Sequence, residues 1–184
     1  MHGLSSILLL LLTMLVVQLC SVPVTVRYER VEQFKGYEIA DYRNIRIRKY
    51  NRTVTVLDGT FDIHEEMNDN YSFTVRVAYS SLGNNQFITT PFRFPLQDVC
   101  QFFRTTYRDY RELYRNTSNF PDVGACPIEA KQYYIKNHVL GANEFKDFRA
   151  GLYKLTLLLY GKSNLQLPIV MVEMLVQVSR EGLF

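Results

Sequence analysis

The strongest constraint on how this chain folds is a two-residue alternation of apolar and polar side chains that recurs through most of its length. From 71 to 79 the odd positions are Tyr71, Phe73, Val75, Val77 and Tyr79, and the even ones are Ser72, Thr74, Arg76 and Ala78. A strand turns successive side chains to opposite faces, so this spacing gives one apolar face and one wet face. Residues 43–50 alternate too, with Ile45 and Ile47 set against Arg46 and Arg48. Residues 53–63 add a β-branched run with a turn signal at Asp58-Gly59. Nearer the C-terminus, 152–160 and 167–178 flank Gly161-Lys162-Ser163-Asn164 and read as a hairpin. The second arm carries Val170, Val172, Met174, Val176 and Val178 on one side, with Met171 and Leu175 beside Glu173 on the other. A strand that is apolar on both faces needs cover on both. The expected fold class is therefore mainly β, a β-sandwich or β-cup rather than one open sheet.

One segment breaks the alternation with helical spacing. Pro95 precedes Asp98, and Gln101 follows three residues later, which resembles an N-terminal capping box. Leu96, Cys100, Phe103, Tyr107, Tyr110 and Tyr114 then fall on one stripe, with Arg104, Arg108, Arg111 and Arg115 on another. The spacing predicts one amphipathic helix that packs an aromatic face inward and shows arginines on its flank.

The compartment is set by the start of the chain. Residues 7–17 (ILLLLLTMLVV) are apolar apart from Thr13, too short to cross a bilayer as a helix, and lead into Gln18, Cys20 and Ser21. This is the pattern of a signal peptide over 1–21, although its first residues lack the usual Lys or Arg; an uncleaved anchor is the alternative. A secreted, extracellular single domain over 22–184 is expected, with no transmembrane segment. In that setting the remaining pair, Cys100 and Cys126, is expected to form a disulfide rather than two buried thiols. Closing the loop would contribute about 3.5 kcal/mol on the chain-entropy account. Three sequons, at Asn51, Asn70 and Asn116, become candidate glycosylation sites.

Enzyme chemistry has little to stand on. The chain lacks a Gly-x-Ser-x-Gly elbow, a phosphate-binding glycine loop, a His-Glu-x-x-His pair and a Cys-x-x-Cys pair. Beyond the leader only His64 and His138 remain. His64-Glu65-Glu66, near Asp58 and Asp62, reads as a solvated acidic turn, because adjacent strand residues face opposite ways. His138 reads as an exposed strand or loop residue. No catalytic residue, metal site or cofactor is expected. A formal charge of +3 is far from a nucleic-acid-binding balance. It still leaves a basic surface, Arg46 and Arg48 with Arg104, Arg108, Arg111 and Arg115, that would attract an anionic surface or an extracellular protein or glycan. The twelve Phe and thirteen Tyr are a heavy aromatic load. Such rings suit cavity walls and plain β cores equally.

Several ordered landmarks carry a resemblance. They are Asn51-Arg52-Thr53; Pro95-Leu96-Gln97-Asp98-Val99-Cys100-Gln101-Phe102-Phe103; Ser118-Asn119-Phe120; Ala125-Cys126-Pro127; and Gly151-Leu152-Tyr153-Lys154 before a final hairpin. Over roughly residues 45–178 their order and spacing resemble a large secreted insect family related to the CheB chemosensory proteins. That family is distantly similar to the ML lipid-recognition and ganglioside-activator proteins. The resemblance implies an ML- or immunoglobulin-like β-cup that opens between its sheets, and maps Cys100 and Cys126 onto the family's pair. It also implies a non-enzymatic carrier of a lipid or other hydrophobic molecule, with a place in chemosensation or pheromone response. The chain departs from typical ML proteins in having one candidate disulfide rather than several.

The expected function is thus secreted, non-enzymatic binding of a lipid or hydrophobic small molecule. The candidate cavity walls are Phe73, Val75, Val77 and Tyr79, with Phe103 and Tyr107 from the helix. The alternative is an extracellular interaction protein that uses the basic surface.

Overall fold

The computed structural model describes residues 23–180, so the signal peptide expected over 1–21 lies outside the described residues. The strands are β1 (Val24–Lys35), β2 (Ala40–Asp41), β3 (Arg46–Lys49), β4 (Thr55–Ile63), β5 (Tyr71–Ser80), β6 (Ile88–Asp98), β7 (Gln132–His138), β8 (Gly151–Gly161) and β9 (Val170–Arg180). Two antiparallel sheets pack as a sandwich. The larger runs β1-β9-β8-β5-β6; in the smaller, β2, β3 and β7 all pair with β4.

The C-terminal hairpin is the spine of the larger sheet. Tyr153 lies opposite Val176 and Leu159 opposite Val170, and Val176 and Val178 are wholly buried. β5 adds to β8 without a break in register, from Tyr71 opposite Gly161 to Ser80 opposite Leu152. The expected sandwich is what the chain forms, and the two-sided apolar character of β9 is its cause: one face meets the smaller sheet, while Leu175 is buried on the other.

At the β1 edge the two sheets are stitched by polar contacts. Thr55 Oγ1 donates to the Tyr28 carbonyl at 3.0 Å. Gln33, buried on β1, donates from Nε2 to the Ala40 carbonyl at 2.7 Å and accepts from the Tyr42 amide at 2.7 Å. Such side chain–backbone bonds satisfy groups that the change of sheet would otherwise leave orphaned.

Three local expectations need correction. Asp58-Gly59 is not a turn: β4 runs straight through it, with an irregularity against β7 between Leu57 and Gly59. Gly59 sits at φ +133°, and a Cβ there would run into the Asn44 carbonyl. Glycine is therefore used for a close backbone approach inside a strand. The even face of β5 is also drier than its composition implies, since Ser72, Thr74 and Ser80 are all buried. Thr74 is kept satisfied by donating to the Phe94 carbonyl at 2.6 Å.

The third correction concerns the helix. It is three short pieces: α1 (Val99–Arg104), a 3-10 turn over Thr106–Asp109 and α2 (Arg111–Tyr114). Leu96 belongs to β6 and is exposed. Asp98 makes no side-chain cap; it accepts from Ser72 Oγ at 2.6 Å and from Lys162 Nζ at 3.5 Å. Ser72 foremost, then Lys162, hold its carboxyl below the usual range against the opposing pull of burial. The first break falls at two adjacent β-branched residues. Thr105 Oγ1 bonds back to the Gln101 carbonyl at 2.8 Å, a contact that disfavours continuation of the helix.

Candidate ligand cavity

Between the two sheets lies a cavity of about 350 Å³ whose walls are almost entirely apolar. That is within the range of about 300–1,000 Å³ typical of small-molecule sites. The larger sheet supplies Phe73 and Val75 from β5, Leu157 and Leu159 from β8, and Val170 and Met174 from β9. The smaller sheet supplies Leu57, Phe61 and Ile63 from β4, with Tyr133 and Ile135 from β7. The broken helical segment forms the cover: Val99, Phe102, Phe103, Tyr107, Tyr110 and Tyr114 all line the space.

The rings of the cover brace one another rather than close the cavity. Phe102 meets Phe73 edge-on at 4.6 Å and Phe103 at 5.3 Å, while Phe103 packs on Tyr107 at 4.8 Å. Opposite them, Phe61 stacks between Tyr42 at 4.8 Å and Tyr133 at 5.4 Å, and Phe120 meets it edge-on at 5.5 Å. Each such pair adds about 0.5–1.5 kcal/mol beyond burial, so the walls are stiff. Burial pushes the Tyr42 phenol up to about 12 and the Tyr114 phenol upward as well, and both stay neutral in neutral solution.

The cover is fixed to the sandwich at two points. Cys100 on α1 is bonded to Cys126, with Cα atoms 5.4 Å apart, an ordinary spacing for a disulfide. At the other end Tyr114 stacks on His138 of β7 at 4.6 Å, and the Tyr28 hydroxyl lies 2.7 Å from His138 Nδ1. His138 is therefore a core residue, only 2% exposed, not the exposed strand or loop residue its polar neighbours imply. The strand it ends packs its alternate residues Tyr133 and Ile135 inward.

Four of the six expected wall residues meet at this cavity: Phe73, Val75, Phe103 and Tyr107. Val77 and Tyr79 do not line it. They lie farther along β5, where Tyr79 packs on Tyr153 at 4.9 Å and donates to the Ala150 carbonyl at 2.7 Å. Sequence reasoning missed Phe61, Phe94, Phe102, Phe120 and Tyr133; the aromatic excess was the only signal of them.

Most of the basic residues have acidic partners. Arg48 pairs with Asp58, Arg108 with Asp109, Arg111 with Asp122 and Arg115 with Glu112. Arg104 lies on α1, Arg108 on the 3-10 turn and Arg111 on α2, with Arg115 just beyond it, so no one continuous helix carries the four. Arg46 on β3 and Arg104 on α1 are exposed. Asn51, Asn70 and Asn116 are all exposed as well, and Asn51 Oδ1 accepts from the amides of Thr53 and Val54. His64, Glu65 and Glu66 are exposed between β4 and β5, and among the described residues no cluster of three metal-ligating side chains occurs.

Residues 70–155 match the profile of a family described as a protein of unknown function (DUF1091). That stretch runs from the start of β5 into β8 and includes the whole cover and both bonded cysteines. No curated protein matches the chain. No helix of the described residues is long and apolar enough to cross a membrane. The disulfide fits an oxidising compartment.

Proposed function

We propose that this protein is a secreted, non-enzymatic carrier that holds a lipid or other hydrophobic small molecule between its sheets. The observation that carries the reading is the cavity of about 350 Å³, walled by apolar side chains from both sheets and covered by braced aromatic rings. A well-packed core keeps few voids larger than a water molecule, so open apolar space of this size is unusual unless something fills it. Binding there is driven by taking an apolar chain out of water, about 0.8 kcal/mol per buried methylene, and needs no covalent step. The motif resemblance to CheB-related and ML-type proteins points the same way, towards chemosensation or pheromone response. So does the disulfide, which suits a secretory route.

The test is solvent extraction and mass spectrometry of the protein purified from an insect secretory host, beside a similarly glycosylated control domain. A reproducible, near-stoichiometric lipid or hydrocarbon absent from the control is the expected result. If the protein carries nothing, and a panel of long-chain lipids and hydrocarbons fails to bind it in solution, the carrier reading is wrong.

A further inference from the structure

The cover over the cavity and the end of β6 beside it hold polar atoms that find no partner among the described residues. Gln97 Nε2, the Tyr107 hydroxyl and Arg111 Nη1 are all buried and unbonded among the described residues. A buried donor left unmade costs about 1–3 kcal/mol, more where it is charged, so such atoms are few in folded proteins. A fourth such atom, His138 Nε2, lies apart on β7; the other three lie within residues 97–111, and of them Tyr107 lines the cavity directly. Gln97 is tied to the cover because its Oε1 accepts from Thr106 at 3.2 Å.

Tyr107 and Arg111 are the informative pair. Tyr107 lines the cavity and is 3% exposed. Arg111 follows four residues later, and its guanidinium is engaged on one arm only: Nη2 donates to Asp122 Oδ1 at 3.1 Å, while Nη1 is buried and free. Asp122 is almost fully exposed, which leaves the inner arm of the guanidinium poorly compensated. The two groups are close enough to interact. Burial pushes the Tyr107 phenol up, and the Arg111 charge pulls it back.

Resting on the carrier reading above, we infer that the ligand is an aliphatic amphiphile with a carboxylate head, its chain in the apolar cavity and its head bonded by the Tyr107 hydroxyl and Arg111 Nη1. A carboxylate accepts from both donors at once, and an ionised acceptor makes the stronger bonds. An alcohol or ester would satisfy Tyr107 but would leave the charged arm without its match. A plain hydrocarbon would satisfy neither.

The experiment compares four ligands of equal chain length, dodecanoate, dodecanol, methyl dodecanoate and dodecane, by displacement of an apolar fluorophore. The proteins are the native chain, Tyr107→Phe and Arg111→Met, each checked for an unchanged thermal midpoint. In the native protein dodecanoate should bind about tenfold or more tighter than the ester. Arg111→Met should erase that margin by weakening the acid alone, whereas Tyr107→Phe should weaken acid and ester alike and the hydrocarbon least. Equal binding of acid, ester and hydrocarbon by the native protein would overturn the head-group assignment and leave the cavity reading standing. So would an acid preference that survives Arg111→Met. If none of the four displaces the probe, the cavity reading falls and this inference with it.

Discussion

At the scale of single residues, His138 is the polar group most exposed to the consequences of burial. Tyr28 from β1 and Tyr114 from α2 face its ring, the Leu113 carbonyl lies against it and Glu144 is the nearby charge. Burial holds the imidazole below its ordinary 6.5, opposed by Leu113 and Glu144. Below that ordinary value the unfolded chain takes up a proton that the folded protein refuses, so stability falls as the pH drops through the window beneath 6.5 and is complete above it. Thermal midpoints measured from about pH 7 down to about pH 5 should decline more gently for His138→Gln than for the native protein; identical slopes would show that the imidazole stays unperturbed. Gly59 makes a second residue-scale case. Its positive φ and the nearby Asn44 carbonyl leave no room for a side chain, so Gly59→Ala should cost about 1–3 kcal/mol in urea unfolding. The sequence misled at both positions for the same reason. Asp-Gly is a common turn pair, and histidine beside Lys and Asn is commonly wet, but the Asn44 backbone decides the first and the Tyr28 and Tyr114 rings the second, and no local pattern shows either contact.

At the scale of elements, the chain divides into strands that local pattern describes well and a cover that it does not. β5, β8 and β9 were legible because apolar residues recur on one face or both along each, and β4 was legible apart from the Asp58-Gly59 pair that read as a turn. β6 was not. Pro91 and Pro95 interrupt it, and Ile88, Phe92 and Leu96 are exposed along it, features that an edge strand tolerates and a central strand does not. Apart from Leu96, which is exposed on β6, the helical stripe was right about which side chains face inward and wrong about continuity. Phe103, Tyr107, Tyr110 and Tyr114 all line the cavity although the backbone beneath them changes from α to 3-10 and back. Such short pieces have little helical stability of their own, so the cover depends on its ring contacts and on Cys100–Cys126. Replacing both cysteines by serine should lower stability by about 3.5 kcal/mol. In hydrogen exchange, residues 99–126 should lose protection while β8 and β9 keep theirs. Uniform loss across both would mean that the cover and the sandwich open as one unit.

At the scale of the whole molecule, the sandwich followed from one strand with two apolar faces, whereas the cavity could not be read from any single stretch. Its walls are brought together from segments as far apart as Tyr28 and Met174, and a pattern that repeats every two residues says nothing about which rings meet. That leaves the central claim, that the space between the sheets is a binding site and not a packing irregularity, open to direct challenge. The most direct test is to fill it. Val75, half-buried on β5 and pointing into the cavity, can be changed to Phe, and binding of an apolar fluorescent probe measured beside the thermal midpoint. In a close-packed core the added atoms would cost about 1–3 kcal/mol. Here the account predicts a midpoint close to the native one together with loss of probe binding. Undiminished probe binding by a stably folded Val75→Phe protein would contradict it.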